Sequence, residues 1–408
     1  IFTSILKACG STGALEKGKL IHDEIASRVL LEKDILLGTA LVDMYAKCGV
    51  PLKAQEVLEE LPVRNDKSWC ALIAGYVQQG LCCEALDCYE RMQSEGLTSD
   101  VVTLTCVLKA CGITGAIDKG KQIHEDIVIR GSLKKDIMLG TALVDMYAKC
   151  GMLAKAREVL FELPSRDVVS WSTLIAGYAE HGPYHEALDT LKQMQTEGLS
   201  PNAVTFISIL KACASLGAIE KGRKIHDEIL NRGLLDKDIA LGNALVDMYA
   251  KCGLLTKARH VLEELPSRDV ISWNALIAGF SHYSQGHEAL KCFESMQNEG
   301  LSPNEITFTC VLKACGSTGS IEKGKQIHEE IANRGLLWKD IVLGSALVDM
   351  YVKCGDLGKA QRVLEELPVR NVVSWSTLIA GYAQHRQGRR ALDSFARMQS
   401  EGFTPNIV

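Results

Sequence analysis

The residues of this 408-residue chain whose chemistry needs explaining are Asp, Asn, Ser and Thr, and they recur in pairs. A stretch written SWSTLIAGYAEHG begins at Ser170 and SWSTLIAGYAQHR at Ser374. Near-copies begin at Ser68 and Ser272, so the interval is 102 residues each time. Within this stretch the residue after tryptophan changes while its surroundings hold: Cys70, Ser172, Asn274 and Ser376. The same segments close on Asp100, Asn202, Asn304 and Asn406. A second kind of segment carries Thr39, Thr141, Asn243 and Ser345 at its fifth place and closes on Asn65, Asp167, Asp269 and Asn371. A carboxylate only accepts hydrogen bonds, an amide donates and accepts, and a hydroxyl does either. Exchanging these groups at two fixed places while an apolar frame is kept alters what a surface recognises. A repeat that only packs has no reason to vary just there.

Bond-breaking chemistry has weaker candidates. Of fifteen cysteines, eight recur with the period: Cys9, Cys111, Cys213 and Cys315 in KAC, and Cys48, Cys150, Cys252 and Cys354 in KCG. No C-x-x-C pair exists, and the C-x4-C of Cys106/Cys111 and Cys310/Cys315 sets two thiols about 140° apart on a helix, poor for sharing one ion. These cysteines read as small buried hydrophobes, and such a thiol count without paired spacing suggests a reducing compartment. His22, His124, His226 and His328 recur once per period in "IH" and are expected to pack at a unit interface. No catalytic group, metal ligand or cofactor is expected.

The hydrophobic fraction of 47% suits a packed protein. No run approaches 18 apolar residues, so no membrane span is expected. Residue 1 already lies inside a repeat, since IFTSILKACG matches TLTCVLKACG from Thr103; the sequence is therefore expected to be a segment, silent on any targeting peptide. The net charge of −5 gives no general attraction for phosphates, so polyanion binding would have to rest on local placement of charge.

Each 102-residue period divides into three similar units of 36, 31 and 35 residues. First-type units span 1–34, 101–136, 203–238 and 305–340. Second-type units span 35–65, 137–167, 239–269 and 341–371, and third-type units span 66–100, 168–202, 270–304 and 372–406. Each unit reads as two helices. In the second type, Leu143, Met146 and Tyr147 form one apolar stripe stopped at Gly151, and a return helix carries Ala156, Val159, Leu160 and Leu163 until Pro164. In the third type, Trp171, Leu174, Ile175 and Tyr178 share a face, and the return helix buries Ala187, Leu188, Leu191 and Met194 before Gly198. A two-helix unit cannot bury its own stripe, so units must stack on their neighbours. The expected fold is all-α: a right-handed α-solenoid superhelix of about 12 helix-turn-helix repeats, first helices lining the inner surface.

Among helix-turn-helix repeats of this length, the tetratricopeptide pattern W-x2-L-G-x2-Y is absent, since Trp171 is followed by Leu174-Ile175. Residues 168–202, 136–167 and 104–128 instead resemble the P, S and L motifs of the plant organellar pentatricopeptide repeat family, and the alternation of lengths is similar to its PLS class. The resemblance covers the whole chain. It implies sequence-specific binding of single-stranded RNA, one motif per base, in mitochondria or chloroplasts, often to direct RNA editing. It also implies docking of multiple organellar RNA editing factors on L and S units. The family's deaminase-like domain would bring H-x-E and C-x-x-C; here H-x-E recurs, as in His22-Asp23-Glu24, without a thiol pair, so binding without chemistry is expected. The alternative is a peptide-binding scaffold of tetratricopeptide type.

On this reading the polar pairs meet bases. Asp suits guanine or uracil, which present an imino N–H, and Asn can donate to the ring acceptor of adenine or cytosine. A short Ser or Thr leaves room for a purine, and Asn reaches a pyrimidine. Thr39/Asn65, Ser172/Asn202, Ser345/Asn371 and Ser376/Asn406 then read A, Thr141/Asp167 reads G, Asn243/Asp269 reads U, and Asn274/Asn304 a pyrimidine; Cys70/Asp100 is left open. First-type units carry Thr3/Asp34, Thr105/Asp136, Ile207/Asp238 and Thr309/Asp340 and are expected to discriminate little. The implied ligand is n-A-?-n-G-A-n-U-Y-n-A-A. Second-place residues Val102, Met138, Val169, Val204, Ile271, Ile306, Val342 and Val373 are expected to clamp bases, with apolar core the alternative; Lys67 and Ala240 depart. Lys47, Lys149, Lys251 and Lys353, with Lys7, Lys109, Lys211 and Lys313, form a ladder expected to contact phosphates.

Overall fold

The computed structural model describes residues 1–28, 34–133, 136–338 and 340–405. Among them lie twenty-four α-helices, one three-residue 3-10 turn (Leu336–Trp338) and no strand. The central period shows how sequence makes the pattern. Asp136 caps helix Ile137–Lys149 by accepting from the backbone N–H groups of Met138 and Leu139. The helix stops at Cys150, and Gly151 takes a φ of 73° that an L side chain resists. Its partner helix runs Leu153–Glu162, one residue shorter than the apolar stripe predicts: Leu163 is extended, because the residue before Pro164 is pushed out of the helical region. Leu163 stays buried even so, and a Cβ on Gly140 would sit 2.3 Å from its Cδ2.

The helices gather into two compact units, residues 1–209 and 210–408. Within each, a helix pair is one repeat, and the first helix of a repeat packs on the first helix of the next as well as on its own partner. Val101–Thr114, Ile137–Lys149 and Val168–His181 stack this way in the first unit; Glu305–Thr318, Ile341–Lys353 and Val372–Gln384 do so in the second. Close approach requires the glycine of IAGY: a Cβ on Gly177 would meet Ala148 Cβ at 2.7 Å, and one on Gly279 would meet Ala250 Cβ at 2.9 Å.

The predicted stripes are core. Leu143, Tyr147, Trp171, Leu174, Ile175, Ala187 and Met194 are all buried, and full burial of each large aliphatic contributes on the order of 2 kcal/mol. Trp171 donates its indole N–H to Glu197 at 2.9 Å, and Arg166 closes on the same carboxylate at 2.7 Å. The arrangement returns at Trp69/Glu95/Arg64, Trp273/Glu299/Arg268 and Trp375/Glu401/Arg370. The tryptophans therefore tie the first helix of a third-type repeat to the end of its own second helix, while the arginine of the repeat before closes on the same carboxylate, and the buried rings offer no exposed stacking face. The fifteen cysteines are free thiols, and no cluster of metal-ligating groups occurs among the described residues.

Candidate nucleic-acid interface

Each closing residue among the described ones is the N-cap of the next repeat's first helix. Asn65, Asp167, Asp269 and Asn371 accept from the N3 backbone N–H of Ser68, Ser170, Ser272 and Ser374 at 2.7–2.8 Å. Asp100, Asn202 and Asn304 do the same for Thr103, Thr205 and Thr307. Asp and Asn cap comparably well, because each commits one oxygen to the helix. The other terminal atom is a carboxylate oxygen in one and an NH2 group in the other. Exchange of Asp for Asn is thus nearly silent to the fold and reverses the hydrogen-bonding sense of the group left over. Sequence reasoning missed this capping role, though the D/N-x-x-S/T spacing at the junctions into third- and first-type repeats carries it.

The fifth residue reaches that capping side chain across the repeat. Asn65 donates to Thr39 Oγ1 at 3.2 Å, Ser172 to Asn202 at 3.3 Å, Asn274 to Asn304 at 3.0 Å, and Ser345 to Asn371 at 3.3 Å. Asn243 Nδ2 lies 3.2 Å from both oxygens of Asp269. Cys70 donates its thiol to Asp100 at 3.8 Å. Burial pushes the Cys70 thiol up to about 11, so it stays a neutral donor. At Asp100 burial acts upward, but hydrogen bonds from the Thr103 backbone and hydroxyl and from Cys70 outweigh it and hold the carboxyl below its ordinary value. Thr141 and Asp167 face one cleft of about 440 Å³ that Met138, Val169, Thr105 and Lys109 also line. Ser376 lies with Val373 and Lys353 in a second cleft of about 420 Å³. Asn406 lies outside the described residues.

First-type repeats are built differently. Asp34, Asp136, Asp238 and Asp340 turn back onto the N2 backbone N–H at 2.7–2.9 Å. Three of them also accept from N3 at 3.3 Å. Thr105 and Thr309 give their hydroxyls to carbonyls of their own helices, at Val101 and Glu305, as Thr39, Ser172 and Ser345 do, but make no bond to Asp136 or Asp340 among the described residues. Ile207 carries no polar group, and no bond joins Thr3 to Asp34 among the described residues. Six second- and third-type pairs are thus joined by hydrogen bonds; Thr141 and Asp167 share a cleft without a bond between them among the described residues, and no first-type pair is joined.

The eight second-place residues are not core: Val102, Met138, Val169, Val204, Ile271, Ile306, Val342 and Val373 are 54–65% exposed. Each follows its cap by two residues, at the helix start where a side chain points out beside the polar pair. The lysine ladder, in contrast, divides. Lys47, Lys149, Lys251 and Lys353 are held by Asp43, Asp145, Asp247 and Asp349 one turn back, at 2.7–2.8 Å. Within the ladder, Lys7, Lys109, Lys211 and Lys313 stand exposed without an ion pair among the described residues. An i, i+4 pairing was readable from the spacing of Asp145 and Lys149, and it halves the free positive charge beside the polar pairs.

Fold and interface define a helical-repeat protein with exchangeable hydrogen-bonding pairs along one layer of helices. The chain belongs to the PPR repeat family. The PPR repeat matches residues 39–65, 67–97, 141–168, 204–234, 243–270, 306–336, 345–372 and 373–403, and the PPR repeat family matches 166–215 and 268–317. It is 34% identical over 99% of its length to the Arabidopsis thaliana pentatricopeptide repeat-containing protein At4g18520, chloroplastic, covering 64% of that protein. It is 35% identical over 100% of its length to At2g03380, mitochondrial, of the same plant, covering 58% of it. The chain thus spans about three fifths of the length of these relatives. The structure of the maize pentatricopeptide repeat protein PPR10 in complex with an 18-nt psaJ RNA element matches 99% of the chain and 64% of PPR10 with a TM-score of 0.77 at 18% identity. That likeness shows the fold, an all-α solenoid of helical repeats.

Proposed function

We propose that this chain binds single-stranded RNA in a sequence-specific manner, each second- and third-type repeat reading one base with its fifth and closing residues. The observation that carries this is the hydrogen-bonded pairing of those two residues at the rim of the first helices, on a cap that tolerates Asp and Asn alike. A peptide scaffold would gain nothing from that exchange. The eight exposed apolar residues beside the pairs supply faces against which bases stack without any charge. The proposed ligand is n-A-?-n-G-A-n-U-Y-n-A-A, with weak selectivity wherever a first-type repeat lies. Four unpaired lysines give moderate affinity and a shallow salt dependence.

The regular alternation of 36, 31 and 35 residues supports assignment to the PLS class, with first-, second- and third-type repeats as L, S and P motifs. The relatives named chloroplastic and mitochondrial support an organellar setting. Within it the repeats act as the specificity module of an RNA editing or processing factor, binding RNA without chemistry of their own and receiving multiple organellar RNA editing factors on L and S repeats. Selection from a random RNA pool tests the reading; enrichment of sequences unrelated to the proposed string overturns it.

A further inference from the structure

Wherever a third-type repeat meets a first-type one, the third residue of the latter is a threonine: Thr103, Thr205 and Thr307. These hydroxyl-bearing side chains are shut from solvent, at 1%, 0% and 0% exposure. Thr307 Oγ1 lies 2.6 Å from Asn274 Oδ1 and 2.9 Å from Asn304 Oδ1, and accepts from the Asn304 backbone N–H at 3.1 Å. The Thr307 backbone N–H already holds Asn304 Oδ1 at 3.0 Å, so the single hydroxyl proton is free for the nearer oxygen, that of Asn274. Asn274 Nδ2 then donates to Asn304 Oδ1 at 3.0 Å, which leaves the Asn304 NH2 facing away from the cap. Thr205 sits alike, 2.6 Å from Ser172 Oγ and 2.9 Å from Asn202 Oδ1. Thr103 touches Cys70 Sγ and lies 2.7 Å from Asp100 Oδ1.

Junctions from second- to third-type repeats lack this device. Ser68, Ser170, Ser272 and Ser374 donate instead to the main-chain carbonyl of the capping residue, at 2.8–2.9 Å. Their hydroxyls leave the fifth residue alone. The consequence shows at Asn243, whose Oδ1 is buried without a hydrogen-bond partner among the described residues.

We infer that Thr103, Thr205 and Thr307, at the third place of the three first-type repeats that follow a third-type one, are positioning residues for the base-reading pair of the repeat before. The backbone cap orients the closing side chain, and the buried hydroxyl orients the fifth one against it, so that together they set which atoms face the RNA. This gives first-type repeats a part in specificity although their own pairs are dismantled: they lend a hydroxyl upstream. The inference rests on the base-reading proposal above.

The test uses the full chain with Thr307→Val, which keeps the shape and removes the hydroxyl. Affinities are measured for oligonucleotides with a pyrimidine or a purine at the ninth base, and with U or C at the eighth. The expected result is that the ninth-base preference falls by about fivefold, the worth of one hydrogen bond, while the eighth-base preference of Asn243 and Asp269 stays. Thr307→Ser, which keeps the donor, retains both, and Thr205→Val repeats the loss at the sixth base in the other compact unit. The inference is overturned if Thr307→Val keeps its ninth-base preference, or if both preferences fall together as a general loosening of the fold would make them. Wild-type protein indifferent to the ninth base would instead sink the base-reading proposal itself, and this inference with it.

Discussion

Asn243 donates both ways to Asp269: its Nδ2 lies 3.2 Å from each carboxylate oxygen, across 26 residues of chain. One of those oxygens also receives the Ser272 backbone N–H at 2.8 Å. The carboxylate is held in place by the helix start and by its partner, leaving acceptor lone pairs for an imino N–H.

Asp269→Asn should therefore change recognition without changing stability. Asn caps as Asp does, so the unfolding free energy should stay within about 0.5 kcal/mol of wild type. Preference at the eighth base should move from U toward C by about tenfold, the low end of what one base-directed pair discriminates. Paired denaturation and fluorescence-anisotropy titrations check both halves.

The two sets of lysines should behave differently in salt. Lys109→Ala removes an unpaired charge beside the first cleft and should lower the slope of log affinity against log salt by about 1. Lys149→Ala removes a charge already bound to Asp145 at 2.7 Å and frees a carboxylate, so its main effect should be added repulsion, seen as weaker binding at low salt. Titrations at four salt concentrations separate the two.

Much of this was legible in the sequence. The 102-residue period, the two-helix units and the buried stripes of Trp171, Leu174 and Ile175 follow from spacing, because repeated apolar periodicity leaves few ways to pack. The pairing of the fifth and closing residues was visible as variation, but its anchoring was not. That Asp167 is an N-cap, that Asp136 caps through the N2 N–H, and that Thr307 lies between two amides are matters of side-chain direction, which a one-dimensional period does not carry. The clamp-or-core ambiguity at Val169 had the same source: a valine at the second helical position reads alike whether it faces in or out.

Close helix approach makes IAGY intolerant of bulk. Gly177→Ala would set a Cβ 2.7 Å from Ala148 Cβ and 3.0 Å from a Leu153 methyl, an overpacking worth about 1–3 kcal/mol. The thermal midpoint should fall, with helix content unchanged below the transition by circular dichroism.

Acidification should also weaken the fold, through four histidines. Burial, more than the nearby Lys53, Lys155, Lys257 and Lys359, lowers the pKa values of His22, His124, His226 and His328. Each hydrogen-bonds a tyrosine hydroxyl at 2.9–3.0 Å. Below the ordinary value of about 6.5 the unfolded chain binds protons that the folded one refuses, so stability is full above that pH and declines as pH falls toward the depressed folded values. The thermal midpoint should drop between pH 7 and pH 5, and His124→Gln together with His328→Gln should flatten that slope. An unchanged slope would remove the histidines from the account.

The most direct measurement is the affinity of the chain for an RNA carrying n-A-?-n-G-A-n-U-Y-n-A-A beside the same nucleotides in shuffled order, at one salt concentration. Several mismatches at about 1 kcal/mol or more each should make the ordered RNA bind about a hundredfold tighter. Equal affinity for the two would contradict base reading by the paired residues.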